Sequence, residues 1–153
     1  MRWIKKERKS TLGYKLFART DGAGFVDKIM ARPANEGEQP HLPQMAKGAK
    51  AQRLLSDKGL TSAANRAMLK EMSLKNGLMF KAARGRALTK WERRFNHIVS
   101  KSRWVIEQSF GTMKRKFNAS RARYMTRLKV EAEMTWKAIS LNLLKAANRV
   151  TPT

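Results

Sequence analysis

Apolar residues along this chain alternate in some stretches and recur every three or four positions in others, and the switches mark its elements. Leu12–Thr20 (LGYKLFART) and Gly24–Ala31 (GFVDKIMA) read as strands joined through Asp21-Gly22-Ala23-Gly24, an Asp-Gly hairpin signal. Pro33, Asn35, Gly37 and Pro40 mark a loop; a short helix over His41–Lys47 follows, ended by Gly48. Gln52–Ser56 is a short apolar strand that stops at Asp57-Lys58-Gly59. Ser62–Leu74 reads as a helix with Ala63, Ala67, Met68 and Met72 near one side, and Leu78–Ala82 as a strand after an Asn76-Gly77 turn.

The last third is helical in pattern. Thr89 and Glu92 have capping-box spacing, so a helix starts there and carries Phe95, Ile98 and Val99 inward. In Arg103–Phe117, Ile106, Phe110, Met113 and Phe117 form an apolar stripe. Arg103, Glu107, Gly111 and Lys114 lie within about 80° of one another on a separate face. Leu128–Val150 has its stripe at Ala132, Trp136, Ile139, Leu143, Ala146 and Val150, read as core. Strands first and long helices last predict an α/β layer arrangement, a small mixed sheet flanked by helices.

Composition narrows the partners. At 153 residues and 42% hydrophobic, the chain suits one domain with a core and is no disordered basic tail. It carries 34 Lys+Arg against 11 Asp+Glu, a formal charge of +23, which makes a nucleic acid the leading partner. Ribosomal and membrane-surface proteins share that balance, so charge alone does not select DNA. The absence of Cys excludes a disulfide framework and any Cys-based zinc site. No apolar run approaches the ~18 residues of a membrane span, and Met1–Lys9 lacks the apolar stretch of a signal peptide. The expected setting is a reducing cytoplasm, without membrane contact.

Candidate chemistry sits on two carboxylates. Asp57 ends a strand, where ligands collect in α/β sheets, so it is placed for a metal; Asp-X-Gly also serves as plain loop punctuation. Glu107 stands among basic residues, and its alternative is an ion pair with Arg103, in the less favourable order for a helix. Two carboxylates on separate elements fit two-metal phosphoryl transfer. Arg84–Lys129 holds 14 Lys+Arg and only two acids, Glu92 and Glu107, interleaved with Trp91, Phe95, Trp104, Phe110, Phe117 and Tyr124. Of these aromatics, Phe95, Phe110 and Phe117 are expected in the core. Lys114, Arg115, Lys116, Arg121, Arg123 and Arg127 are the phosphate candidates, against a merely solvated face. His41 and His97 have no metal-ligand spacing.

The segments GYKLFARTDGAGFV, ARPANEGE, SDKGLTSAANR, RWVIEQSFGTMKRKF, RARY and AISLNLLKAANRV run in order over nearly the whole chain. Through them it resembles the transposases of bacterial insertion sequences, of the insertion-sequence-five group. The resemblance implies an RNase H-like fold and an Asp, Asp, Glu triad that binds two Mg²⁺ ions. SDKG puts the second Asp at Asp57. The signature Y-x2-R-x3-E-x6-K matches at Arg103, Glu107 and Lys114, with Ser100 in the Tyr place. Leu60 replaces the aromatic residue common after DKG. The resemblance gives Arg103 and Lys114 contacts to DNA phosphates near the cleaved end.

The first Asp of the triad belongs on a strand before the GYKLF hairpin. Here only MRWIKKERKST precedes it; that stretch has no Asp, and Glu7 lies in a basic context without strand pattern. The expectation is therefore a single, partial catalytic domain over 1–153, lacking the first strand and an N-terminal DNA-binding region. The implied partners are double-stranded DNA (transposon ends and target) and a second copy or a full-length transposase, in a bacterial cytoplasm near the nucleoid. Three readings compete: a Mg²⁺-dependent transposase region with weak or no activity alone, a non-catalytic DNA-binding remnant or inhibitor, and a small basic RNA-binding protein.

Overall fold

The computed structural model describes residues 2–6 and 9–150. The chain divides into two units, one from Met1–Glu36 with Val105–Thr153 and one from Gly37–Trp104.

In the first unit, β1 (Arg2–Lys6), β2 (Lys9–Thr20) and β3 (Val26–Pro33) form an antiparallel sheet in that order. The β2–β3 hairpin turns where Asp-Gly predicts it: Asp21 Oδ1 accepts from the N–H groups of Ala23 and Phe25, and Gly24 takes φ +81°, open to glycine without strain. The stretch before Leu12, without strand pattern in the sequence, contributes β1, which pairs Arg2 with Gly13 and Lys6 with Lys9. Glu7 itself lies outside the described residues.

Helix α5 (Arg127–Val150) packs on β3, and α4 (Trp104–Phe117) completes the core. Val26, Met113, Ala138 and Leu141 form one buried cluster; Ala31, Val130 and Met134 form another. The buried stripe of α5 is thus Val130, Met134, Ala138 and Leu141, and the expected Trp136 stripe is exposed except for the half-buried Ala146. Polar residues explain the inversion. Asn142 brackets Val26, accepting from its N–H and donating to its carbonyl at 2.8 Å each, and Glu131 accepts from the Ala31 N–H at 2.9 Å. The outer edge of β3 needs these partners, so the polar side chains of α5 turn towards the sheet.

In the second unit, a 3-10 turn (Gln39–His41) runs into α1 (Leu42–Ala46); β4 (Arg53–Ser56) pairs in parallel with β5 (Lys75–Leu78). Between the strands lies α2 (Ala63–Glu71), and α3 (Lys90–Ser102) follows. Leu42, Ala46, Leu69, Leu74 and Leu78 make the core. The described strands thus form two sheets, one antiparallel and one parallel, where a single mixed sheet was expected.

Three local expectations change. Asn76-Gly77 is strand, not turn: a Cβ on Gly77 would meet the Leu54 carbonyl oxygen at 2.6 Å, so glycine permits the close approach of β4 and β5. On α2 the buried residues are Asn65 and Leu69, while Ala63, Ala67 and Met72 are exposed. On α3 they are Glu92, Asn96 and Val99; Ile98 is exposed, and Phe95 is half-buried against Phe80 and Trp91. The Thr89 capping box forms as read.

Candidate functional site

Asp57 follows the last residue of β4 in extended backbone and caps the 3-10 turn Lys58–Leu60. Its Oδ1 accepts from the Gly59 N–H at 2.9 Å, the ordinary work of a turn Asp. Its Oδ2 faces Arg103 Nη2 at 3.9 Å, with the side chains 43% and 28% exposed. An ion pair that long and that open is worth less than about 1 kcal/mol. The position of the turn is fixed from behind. Thr61 Oγ1 donates to the Met79 carbonyl at 2.6 Å, and Asn65 Nδ2 donates to the carbonyls of Leu60 and Gln39. Arg66 reaches the Leu78 carbonyl at 3.1 Å and lies over the Phe80 ring. Desolvation lowers the Arg66 pKa, against the opposing pull of Glu92.

A second carboxylate stands here that sequence spacing did not single out. A Cβ at Gly59 would collide with Glu38 Oε2 and lie 3.2 Å from Asp57 Oδ1, so both acids lean on this glycine. The only sequence signal for Glu38 is its place at the end of ARPANEGE.

Glu107 lies in the other unit, exposed in the first turn of α4, where a negative charge also suits the helix dipole. Lys114 is exposed seven residues on, about 10 Å along the same helix. Arg103 caps the end of α3, so the signature spans the break between α3 and α4. The inner face of α4 carries Met113 and Ser109, both buried, with Ile106, Phe110 and Phe117 half-buried. Ser109 Oγ lies 3.1 Å from the Gly24 carbonyl and accepts from Lys145 Nζ at 2.9 Å; Lys145 also donates to Gly24. Desolvation lowers the Lys145 pKa, partly offset by Asp21. Ser109 is too buried for a nucleophile, and the cluster holds the β2–β3 turn against α4 and α5.

The phosphate candidates gather in a short stretch of chain. Lys114, Arg115 and Lys116 fill the last turn of α4 and are exposed, as are Arg121, Arg123 and Arg127. Asn118 ends α4 at φ +52°, and the Ala119 N–H reaches back to the Met113 carbonyl at 3.1 Å. The loop after it is pinned from α5: Glu133 accepts from the Arg123 N–H, and Lys137 donates to the Asn118 carbonyl and to Glu133. Burial works against the Glu133 charge, but the Lys137 and Arg123 contacts outweigh it and lower its pKa. The basic side chains therefore project from an ordered loop. Trp91, Trp104 and Tyr124 are exposed.

Carboxylates suit a hard divalent cation, but no three His, Cys, Asp or Glu side chains come together to hold one among the described residues. No helix among them is long and apolar enough to cross a membrane.

Comparison with known proteins gives these residues a setting. The family model described as Transposase DDE domain matches residues 1–143. A curated relative, the transposase for insertion sequence element IS1106 of Neisseria meningitidis serogroup B, is 48% identical over 151 residues. The match covers 98% of this chain and 52% of the relative, so the chain spans about half of that protein's length. No solved structure matches. This chain belongs to the DDE-domain transposase family.

Proposed function

We propose that this chain is the part of an insertion-sequence transposase that carries the second and third carboxylates of the catalytic set, with the basic surface that holds DNA. The observation that carries the reading is the coincidence of family signature and local structure. Asp57 sits immediately after a strand beside Arg103, and Glu107 and Lys114 share an exposed face of α4. The fold proposed with it is RNase H-like, as a single partial domain.

In this reading Asp57 and Glu107 hold divalent metal, Mg²⁺, once a third carboxylate completes the set. Held there, the ion would supply a water of lowered pKa and positive charge for the leaving oxygen in phosphodiester cleavage. The chain's own residues do the rest. Arg103 and Lys114 hold phosphates beside the carboxylates, while Arg115, Lys116, Arg121 and Arg123 track the duplex backbone. The first Asp is not among these 153 residues, so the chain taken alone binds DNA and cleaves it weakly or not at all. A chain with these properties also inhibits a full-length transposase by occupying DNA ends.

The test is a binding and nicking assay with duplex DNA, with and without Mg²⁺. Binding should weaken steeply with salt, and replacing Lys114, Arg115 and Lys116 by Ala should reduce the slope of log K against log salt by about 2–3. Nicking should stay at background. Salt-independent binding would remove the DNA-binding reading, and robust Mg²⁺-dependent nicking would remove the inactivity of the isolated chain.

A further inference from the structure

Helix α5 is apolar on two opposite sides. Its inner stripe is buried under the sheet at Val130, Met134, Ala138 and Leu141. About 170° away around the helix, Ala132, Trp136, Ile139, Leu143, Ala146 and Val150 follow a 4-3-4-3-4 spacing, the seam of a helix that packs lengthwise against another helix. Trp136 is 69%, Leu143 66% and Val150 79% exposed, and Ile139 and Leu128 are exposed with them. Nothing in the proposed DNA chemistry uses this side.

We propose that the outer face of α5 is a self-association surface that pairs antiparallel with the same face of a second copy of this chain.

Charge selects this occupant. A chain with a formal charge of +23 repels its own kind over most of its surface, yet from Ala132 to Ala146 the outer stripe carries no charged side chain. A polyanion gains nothing there, whereas a second copy can approach on this face without bringing like charges together. Lys129 flanks the stripe near its N-terminal end. Antiparallel pairing centred near Leu141 puts Val150 of one copy beside Ala132 of the other, holds the two Lys129 residues tens of ångströms apart along the axis, and opposes the helix dipoles. The five exposed side chains offer roughly 600 Å² per copy, so two copies bring about 1,200 Å² together, above the about 1,000 Å² that a specific interface needs and at the low end of the standard size. Trp136 and Leu143 are the anchors, since large apolar groups near the centre of such a seam carry most of the binding.

The experiment is light scattering on the nucleic-acid-free chain in salt high enough to screen its charge, over a range of concentration. The expected mass is twice 17.5 kDa at tens of micromolar. Leu143→Glu should raise the dimer dissociation constant about 30-fold or more while leaving helicity by circular dichroism unchanged, because Leu143 is not in the core. Met125→Glu, equally exposed but off this helix, should leave the dimer intact. Because the chain has no cysteine, Ala132→Cys mixed with Val150→Cys should give a mixed disulfide in higher yield than either alone. A monomer at every concentration would overturn the proposal and leave the face to some other partner. Equal weakening by both Glu variants would overturn the surface, and Ala132→Cys linking mainly to itself would overturn the antiparallel arrangement.

Discussion

The two units bury their helices by different means. In 37–104, the inner faces of α2 and α3 carry Asn65, Glu92 and Asn96, each spent on a particular backbone group: Asn65 on Leu60 and Gln39, Asn96 on both sides of Phe80, Glu92 on Thr89. In the other unit, α5 lays an apolar stripe over β3 and uses Asn142 and Glu131 to close the strand's edge. The polar contacts of 37–104 fix loops, among them the turn that holds Asp57. Those of the other unit fix a strand edge and the turn at Gly24, and leave the far side of its longest helix apolar and open. A helix tied down by polar residues can keep a second apolar face for another partner.

Core truncation should affect both units most. Leu69→Ala in α2 and Leu141→Ala in α5 remove side chains with no exposure, and each should cost about 2–5 kcal/mol in denaturant unfolding. Amide exchange should place the damage in the unit that carries the substitution. A loss under about 1 kcal/mol at either position would mean that its cluster is not a core.

Next come the amide clamps. Asn96→Ala strands the N–H and carbonyl of Phe80, and Asn142→Ala strands those of Val26, so each should cost about 1–3 kcal/mol. The contrast sharpens in exchange rates: loss of Asn142 should speed exchange along β3, while loss of Asn96 should free the segment around Phe80. Identical exchange patterns would contradict the assignment of loops to one unit and strand edge to the other.

The smallest effect is acid sensitivity at the start of α3. The Thr89 N–H holds the Glu92 carboxyl below its usual value despite opposing desolvation, with help from Arg86. Because the folded pKa is the lower one, this stabilisation is present above the ordinary carboxylate pKa and is lost as pH falls through the folded value. Thermal unfolding of Glu92→Gln should therefore differ from the parent at neutral pH and converge with it at low pH. Thr89→Ala removes the hydroxyl that caps the helix and should cost about 1 kcal/mol.

The sequence made local chemistry plain and the sides of helices less so. Thr89 with Glu92 and the Asp21 turn are short-range patterns whose partners lie within a few residues, and each has its expected form. The strand before Asp57 also forms, paired with β5, 22 residues on. The side that α5 buries depends on partners over a hundred residues away in sequence, such as Val26 for Asn142 and Ala31 for Glu131. Two apolar stripes competed, and the bulkier one lies outside. Asn76-Gly77 misled because a glycine required for close strand approach has the same letter as one required for a turn. Glu38 was hidden because only the folded turn brings it to Gly59.

Asp57 and Glu107 are open to a clean comparison because their neutral variants keep the local structure. Asn caps a turn as well as Asp, and Gln fits an exposed helical position as well as Glu. The most direct measurement exchanges the matched 151 residues of the IS1106 transposase for this chain and follows strand cleavage at the element's end by the chimera. The expected result is that Asp57→Asn and Glu107→Gln each lower cleavage about 10³-fold, the scale of losing a group that acts in the transition state, with DNA affinity held within about twofold. Cleavage by either variant at the rate of the parent chimera would contradict it.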